Sequence, residues 1–355
     1  MNATVSFLDI ICSQGSSRLK AIKVCDHIFG GFMARLLPSA RPARVNPAII
    51  KRILIIRPGG IGDAVFLMPI LRALKDQGYC FDILCEKRNA EVFISQEGLC
   101  SEVWRYDVFS EFRRIFFKSY DAVVDTEQWH FSSALVATFA RTEIRVGFAT
   151  RKLRVKLFNI PVKYDLDIYE LDNFRELFSF LGITSELTLE GSYEVAAISR
   201  ASERTSFSGE YTALALGGSI RSRRFTLEEV MRIVAEISTR GEKVVLLGGK
   251  EVVSLGRDIG RAGIPGVFNR TEQLTIAEAG ATIQGARLFI GHDSGLLHLA
   301  CAVGTPVRAV FTTGNVNKWG PRGDKHFVLK AGDFRGWRTL FGYTLIDRAE
   351  RDSYL

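Results

Sequence analysis

Three glycine-containing turns hold the side chains of this sequence that are best suited to chemistry. In the first, Gly59-Gly60-Ile61-Gly62-Asp63, a carboxylate follows three glycines. Glycines after a strand let the backbone approach a ligand, and they open a helix whose N–H groups attract anions. We expect Asp63 to accept a proton from a hydroxyl group; the alternative is that it only caps the helix. A nicotinamide dinucleotide site is not expected, because Val65 stands where that fingerprint needs its third glycine.

The second turn, from Gly217 to Phe225, carries three arginines among small residues. Guanidinium groups match phosphate oxygens bidentately, so a nucleotide diphosphate is the expected ligand. We expect Ser219, Arg221 and Arg223 to contact it. The alternative is a basic loop that only faces water.

The third turn, Gly291-His292-Asp293-Ser294-Gly295, opens a helix that carries His298. Backbone N–H groups at a helix start bind phosphate, and Asp293 is placed to hold sugar hydroxyls. A histidine such as His298 is more often a packing residue than a catalyst. No set of side chains has metal-ligand spacing, so neither a metal nor a cofactor is expected. Ser294 is not in a G-x-S-x-G turn, which argues against a Ser/His/Asp hydrolase.

Composition narrows the class of protein. The chain has 355 residues, with 47 Lys and Arg against 39 Asp and Glu, and a net charge of +8. This length favours two domains, and the basic excess indicates an anionic partner. The sequence contains no aromatic-rich basic motif of the kind that binds nucleic acid, and no apolar run is long enough to span a bilayer. The six cysteines form no C-x-x-C pair and no secretory signal is seen, so we expect a cytoplasmic protein.

Strand-like and helix-like segments alternate along both halves of the chain. In the first half a helix is predicted over Ala64–Leu74, and strands are predicted at Arg52–Ile56, Phe81–Cys85, Ala122–Val124 and Ile144–Phe148. After a polar stretch, Glu186–Gly209, the second half has a helix capped by Thr226, a helix over Leu296–Val303, and strands at Thr212–Leu216, Lys243–Leu247, Leu288–Ile290 and Thr305–Phe311. This alternation predicts an α/β protein of two doubly wound halves, with parallel sheets and a ligand in the cleft between the halves.

Residues 1–49 differ from the rest because basic and apolar residues are interleaved there. From Ser17 to Leu37 the apolar spacing fits a helix with one apolar face, and a proline-containing linker follows. One interpretation is a basic amphipathic helix on an anionic membrane, in which case deleting the segment abolishes liposome binding at low salt. The other is a helix packed on the protein's own surface, which Gly30-Gly31 and Asp26 favour.

Two longer motifs point to a family. The first is Ile-Ile-Arg-Pro-Gly-Gly-Ile-Gly-Asp (55–63), and the second is His-Asp-Ser-Gly-Leu-Leu-His-Leu-Ala (292–300) with Gly304-Thr305-Pro306. They resemble the opening and the donor-site signature of the ADP-heptose:lipopolysaccharide heptosyltransferases, glycosyltransferase family 9. Lys318-Trp319-Gly320-Pro321 resembles the stretch that follows the signature. The resemblance runs over residues 50–330 and leaves the first 49 outside.

The resemblance implies a GT-B fold with two Rossmann-like domains facing a cleft. The expected parts are a basic extension (1–49), an acceptor domain (50–195), and a nucleotide-sugar domain with a C-terminal tail (196–355). It also implies an inverting, metal-independent transfer in which Asp63 is the general base.

The resemblance assigns further residues by motif. Asp293 would contact the donor sugar, and Ser294 and Gly295 would contact the diphosphate. His298 stands at the matching position, and Glu251 resembles the acidic residue that meets the ribose or adenine. Arg223 departs from the family, which usually has a lysine there, and this departure leaves the identity of the donor open.

We therefore expect a cytoplasmic glycosyltransferase, peripheral at the inner face of the inner membrane. It would move heptose or a related sugar from ADP-heptose to a lipopolysaccharide-type glycolipid or oligosaccharide. The alternatives are another nucleotide-sugar donor, a capsule or protein acceptor, a sugar-nucleotide epimerase, and a non-catalytic nucleotide-sugar-binding protein. The segment Asp125-Thr126-Glu127-Gln128-Trp129-His130 either faces the acceptor or is a loop with a packed tryptophan.

Overall fold

The computed structural model describes residues 24–43, 45–196, 204–205, 207 and 209–330 of the chain. The chain folds into two units, the first ending at Ser192 and the second beginning at Tyr193. Each unit has its own six-stranded parallel sheet with helices between the strands. The predicted α/β class of two doubly wound sheets is confirmed. In the described ranges, no helix is both long and apolar enough to cross a bilayer.

The sheet of the first unit has the strand order β3-β2-β1-β4-β5-β6. Its strands are β1 (Arg52–Arg57), β2 (Cys80–Cys85), β3 (Glu102–Arg105), β4 (Ala122–Asp125), β5 (Ile144–Phe148) and β6 (Ile160–Val162). Neighbouring strands are parallel throughout. The interiors of β1 and β4 are apolar and buried, as is typical of a parallel sheet covered on both faces.

The helices of the first unit cover both faces of that sheet. They are α1 (Gly31–Leu36), α2 (Ile61–Phe66), α3 (Met68–Asp76), α4 (Ala90–Ile94), α5 (Phe109–Phe112), α6 (Phe131–Phe139), α7 (Lys152–Val155) and α8 (Glu170–Phe178), with 3₁₀ turns at Pro47–Ile49, Arg113–Phe117 and Ser179–Leu181 and a π-helical turn at Asp26–Gly30. The prediction of one helix over Ala64–Leu74 is wrong. Pro69, in the first turn of α3, has no N–H group to continue the hydrogen bonds of α2.

The second unit repeats this architecture with the strand order β12-β11-β10-β7-β8-β9. Its elements are β7 (Tyr211–Ala215), β8 (Lys243–Leu247), β9 (Val267–Asn269), β10 (Leu288–His292), β11 (Val307–Phe311), β12 (Phe327–Lys330), α9 (Leu227–Ser238), α10 (Val253–Arg261), α11 (Ile276–Gln284), α12 (Gly295–Ala302) and α13 (Val316–Trp319), with 3₁₀ turns at Arg221–Arg223 and Lys250–Val252. Thr226 caps α9 in a capping box with Glu229, which confirms its predicted role.

Each sheet changes its winding direction beside its first strand. β1 lies between β2 and β4, and β7 lies between β8 and β10. In such sheets the loops after the two central strands diverge and leave a crevice at the carboxyl ends of the strands. The first two glycine turns follow β1 and β7, and the third begins in the last two residues of β10, so each one lies at such an edge.

The described part of the extension is helical from Val24 to Leu36 and packs on α6. An added Cβ on Gly30 would lie only 2.5 Å from Phe131 Cβ, so glycine is what permits this close crossing. Ala34 is buried in the core of the first unit. The helix is therefore packed on the protein's own surface. Residues 17–23 of the predicted helix and the predicted tail after residue 330 lie outside the described residues.

Candidate active site

Asp63 lies in the first turn of α2, directly after the glycine turn that ends β1. Gly59 has a φ of +107°, a left-handed conformation that favours glycine. Gly60 is the N-cap of α2, and Gly62 is its second residue. An added Cβ on Gly60 would lie 3.2 Å from Asp63 Oδ2, so the carboxylate folds back over the helix start. It is partly exposed there, where a bound hydroxyl group has access to it.

Arg57, the last residue of β1, is a buried arginine beside this turn. It donates hydrogen bonds to the backbone O of Pro58 (2.7 Å), the backbone O of Thr126 (2.9 Å) and Glu127 Oε2 (3.2 Å). Burial alone would lower the pKa of Arg57, but the Asp63 and Glu127 carboxylates outweigh burial and raise that pKa above its ordinary value. A charged guanidinium therefore joins the glycine turn to the loop after β4.

A second buried arginine, Arg154 of α7, fixes the loop after β4. Its Nη2 donates to Asp125 Oδ2 at 2.9 Å and to the backbone O of Glu127 at 2.6 Å. Burial raises the pKa of Asp125 to about 6, and Arg154 opposes the shift. Burial would also raise the pKa of Glu127, but His130 and the buried guanidinium groups outweigh it and lower that pKa. The two carboxylates of this segment thus bind buried arginines of the protein itself. Trp129 and His130, in contrast, are partly exposed.

In the second unit, Arg223 and Asp293 join the turns after β7 and β10. Arg223 Nη1 lies 2.6 Å from Asp293 Oδ2 and donates to the backbone O of Asp293 at 3.3 Å. Arg223 Nε donates to Thr313 Oγ1 at 3.2 Å, in the turn after β11. Gly314, at a φ of +129°, leaves room for the ion pair of Arg223 and Asp293, because an added Cβ at Gly314 would lie 2.8 Å from Asp293 Oδ2. Three strand ends therefore converge on one ion pair.

Asp293 also lies beside His298 and Ser294. Asp293 Oδ1 is 3.4 Å from His298 Nε2, and both residues are buried. Ser294 Oγ is buried as well, and it has no hydrogen-bond partner among the described residues. Gly295 begins the eight-residue helix α12, whose first N–H groups have no partner within the helix. A buried hydroxyl beside such N–H groups is well suited to a phosphate group.

Arg224 links the turns after β7 and β8. It donates to the backbone O of Gly218 (2.8 Å), Ser219 (3.0 Å) and Glu251 (3.3 Å). Ser219 and Arg221 are exposed and Glu251 is partly exposed, so a ligand has access to all three. The turn after β7 also approaches the start of α12, because an added Cβ on Gly218 would lie 3.2 Å from the Cβ of the serine that precedes Gly295.

His292, the last residue of β10, is a buried histidine beside this cluster. Its ring centroid lies 4.3 Å from that of Phe225. Burial, with a smaller contribution from the nearby charge of Arg223, lowers the pKa of His292 from 6.5 to about 4. The ring is therefore neutral at pH 7 and adds no positive charge to the site.

The predicted residues fall into two groups. The second unit brings together Arg223, Asp293, Ser294, Gly295 and His298, with Ser219, Arg221 and Glu251 in the adjoining turns, whereas the first unit holds Gly59, Gly60, Gly62 and Asp63. Sequence reasoning missed Arg57, Thr313 and Gly314, and it named Glu127 only as part of the segment 125–130, without its ion pair to Arg57. Arg57 had a visible signal, since it is a charged residue ending an apolar strand.

Beside Gly314 a pocket of about 350 Å³ is lined by Phe311, Thr312, Gly314, Asn315, Val316, Asn317 and Lys330. Among the described residues, no group of three or more His, Cys, Asp or Glu side chains is placed to hold a metal ion.

Comparison with known proteins gives a family match. A family model described as Glycosyltransferase family 9 (heptosyltransferase) matches residues 108–335, which is more than half of the 355-residue chain. The matched range includes the Arg223–Asp293 cluster and begins after Asp63. Lipopolysaccharide heptosyltransferase 3 of Escherichia coli is 33% identical over 106 residues. That alignment covers 29% of this chain and 31% of the relative, so the chain matches less than a third of the relative's length.

Solved structures share the fold. The crystal structure of the glycosyl transferase family 9 from Veillonella parvula DSM 2008 has a TM-score of 0.70 at 17% identity, covering 84% of this chain and 91% of that one. A heptosyltransferase of Escherichia coli solved with ADP has a TM-score of 0.66 at 18% identity, covering 79% of this chain and 94% of that one. At these identities the likeness concerns the fold alone, and the predicted GT-B class is confirmed.

Proposed function

This chain belongs to glycosyltransferase family 9 (heptosyltransferase), and from that premise we propose that it moves heptose, or a related sugar, from ADP-heptose to a lipopolysaccharide core-type acceptor. The curated relative is a lipopolysaccharide heptosyltransferase, and one protein of the same fold was solved with ADP. Both facts support this choice of donor and acceptor over another nucleotide sugar or a capsule or protein acceptor.

The observation that carries the proposal is the ion pair of Arg223 and Asp293 beside the buried hydroxyl of Ser294. A sugar bound to a nucleotide diphosphate needs cationic donors for the phosphates and an acceptor for the sugar hydroxyls. Arg223 and the N–H groups at Gly295 supply the first, and Asp293 supplies the second. Glu251, in the turn after the neighbouring strand β8, is assigned to the ribose or the adenine.

The proposed transfer is a single displacement at the anomeric carbon. Asp63 takes the proton of the acceptor hydroxyl while the hydroxyl oxygen forms a bond to that carbon. The bond from the carbon to the diphosphate oxygen breaks on the opposite side, ADP leaves with the electron pair, and the configuration inverts. A well-placed general base accelerates such a step by roughly 10²–10⁴-fold. Arg57 holds the turn that carries the base.

Negative charge grows on the diphosphate as ADP leaves. Arg221 and Arg223, with the first N–H groups of α12, are assigned to stabilise it, because fixed donors aimed at developing charge lower the barrier. We propose that these groups suffice without a metal ion. The transfer rate is then expected to be the same with and without a chelator such as EDTA. A rate that falls with EDTA and returns with Mg²⁺ would contradict metal independence.

We also place the protein in the cytoplasm, peripheral to the inner face of the inner membrane. The net charge of +8 supports this, because lipopolysaccharide precursors and their membrane are anionic.

The donor is tested by thermal unfolding in the presence of ADP-, UDP-, GDP- and CMP-sugars and the bare nucleotides. A ligand at 100 times its dissociation constant stabilises the folded state by about 2.7 kcal/mol. We expect ADP and ADP-heptose to raise the unfolding temperature selectively. A preference for UDP or GDP would overturn the donor, and no response to any nucleotide would overturn the proposal as a whole.

A further inference from the structure

We propose that one face of the extension helix is a docking surface for an anionic lipid bilayer, an inference that rests on the proposed function because the acceptor there is a glycolipid. The docking face consists of Ile28, Phe29, Phe32 and Leu36. These side chains are 62%, 66%, 54% and 66% exposed, respectively. Their spacing places them on one side of a helix.

The opposite side of this helix is fixed to the first unit. Gly30, Gly31 and Ala34 are buried. Asp26 accepts hydrogen bonds from the backbone N–H groups of Phe131 (2.9 Å) and Ser132 (2.7 Å), at the start of α6. The docking face is therefore held outward and cannot turn into the core. Four large apolar side chains displayed together in this way mark an interaction surface.

The charges around the docking face select its partner. From residue 24 to residue 43 the sole acidic residue is Asp26, whose carboxylate is hydrogen-bonded to the start of α6. Arg35 and Arg41 are exposed on the same segment, and Lys152 is exposed on α7, which packs on α1. Lys156 donates to the backbone O of Arg35 at 3.2 Å. Exposed apolar side chains on a segment that also carries exposed cations match the interior and the surface of an anionic bilayer.

A second copy of the chain fits this surface less well. In a symmetric pair the same patch faces itself, so the cations around each docking face would approach their own copies. Such like-charge contacts disfavour association. A bilayer supplies the apolar layer and the opposite charge together.

The test uses the full chain, because Asp26 and Ala34 belong to the packing of the first unit and a deletion would disturb it. The variant is Phe29→Ser with Phe32→Ser. The matched control is Ile94→Ser with Leu227→Ser, which also removes two exposed apolar side chains (58% and 48%). Binding is measured by co-sedimentation with vesicles of phosphatidylcholine and phosphatidylglycerol in equal parts. We expect the variant to bind about tenfold or more weakly than the wild type, and the control to bind like the wild type.

The remaining outcomes are decisive. Wild-type protein that stays in the supernatant overturns the proposal, as does a Phe29→Ser/Phe32→Ser variant that binds like the wild type. Equal binding to pure phosphatidylcholine vesicles overturns the choice of an anionic bilayer. A variant that loses self-association in sedimentation velocity but keeps vesicle binding shows that the face joins two copies, and this also overturns the proposal.

The same proteins are assayed for sugar transfer to a lipid-free core oligosaccharide, which needs no membrane. We expect the wild type and both variants to transfer at equal rates. Transfer without vesicle binding overturns the docking surface alone. Vesicle binding without transfer overturns the proposed function alone.

Discussion

A carboxylate that takes a proton must be held in place by groups that do not themselves change charge. Arg57 meets this requirement beside Asp63, because it is buried and its three hydrogen bonds tie it to two loops. The neighbouring carboxylates raise its pKa, so it stays protonated through the reaction. The charge next to the proposed base is therefore constant.

Asp63→Asn removes the proposed base with almost no change in volume. We expect the rate of sugar transfer to fall by roughly 10²–10⁴-fold. The stabilisation by ADP should remain, because the proposed nucleotide contacts lie in the second unit. Asp76→Asn, at the exposed end of α3, is the control and should leave transfer unchanged. Full transfer by Asp63→Asn would remove the residue from the mechanism and favour a different base or a non-catalytic binder.

Arg57→Met leaves the Glu127 carboxylate buried without its partner. Breaking a buried ion pair from one side destabilises a protein by about 3–5 kcal/mol, more than removing both partners does. We expect urea denaturation of Arg57→Met to show such a loss, and Arg57→Met with Glu127→Gln to recover part of it. Losses that simply add in the double-mutant cycle would show that the two side chains act independently.

His292 makes the stability of the second unit depend on pH. Its folded pKa of about 4 lies below its ordinary value of 6.5, so between these values the unfolded chain binds a proton that the folded chain does not. Stability is then lost as the pH falls from 6.5 towards 4, by up to about 3 kcal/mol.

We expect His292→Gln to abolish this loss. Asp125 acts in the opposite direction: its folded pKa of about 6 lies above 3.8, so its contribution to stability grows as the pH falls through 6. The wild type and His292→Gln share the contribution of Asp125. The difference between their free energies of unfolding, followed as a function of pH, therefore isolates His292. A difference that stays constant from pH 7 to pH 4 would contradict the assignment.

At the scale of elements, two adjacent glycines of the extension helix should respond oppositely to alanine. Both have helical φ values, −62° at Gly30 and −64° at Gly31. Gly31→Ala meets only ordinary contact with Phe131, at 3.7 Å, and should stabilise the protein by up to about 1 kcal/mol through helix propensity. Gly30→Ala would place its Cβ 2.5 Å from Phe131 Cβ and should destabilise it by about 1–3 kcal/mol. The unfolding temperatures of the two variants test this prediction. Equal shifts would mean that the extension helix and α6 have room for a methyl group at Gly30.

The strands that the sequence did not predict are β3, β6, β9 and β12, and all four lie at the edges of their sheets. Edge strands are short here, at three or four residues, and they are incompletely buried. Central strands such as β7 and β8 are mostly apolar and have a glycine pair shortly after them, a pattern that is visible in a single sequence. The hydrophobic pattern therefore predicts the interior of each sheet better than its margins.

The candidate site also has a part that could be predicted from the sequence and a part that could not. Asp63, Asp293 and Arg223 could be chosen from the sequence because each lies in or directly after a glycine turn that follows a strand. The partners that hold them could not, since Glu127 is 70 residues from Arg57 and Thr313 is 90 residues from Arg223. Such pairs are set by the order of strands in the sheet, which a single sequence does not display.

At the scale of the whole molecule, the proposed nucleotide contacts lie in one unit. We expect ADP alone to slow amide hydrogen exchange in the turns at residues 217–224, 248–251 and 293–298. The glycine turn at residues 59–63 should exchange at its ligand-free rate. Protection of that turn by ADP alone would contradict the assignment of the nucleotide site to the second unit, and no protection after β7 and β10 would contradict the site itself.

The extension helix is synthesised well before α6, the helix on which it packs. Asp26 and Phe131 are 105 residues apart in the chain. At about 5–20 residues per second, a ribosome makes the second roughly 5–20 s after the first. Throughout that interval the nascent chain carries a basic, apolar segment with neither side covered, which is the kind of surface that chaperones and membranes capture. Completion of α6 then hides one side and leaves the other, so the order of translation decides which contact this segment makes first.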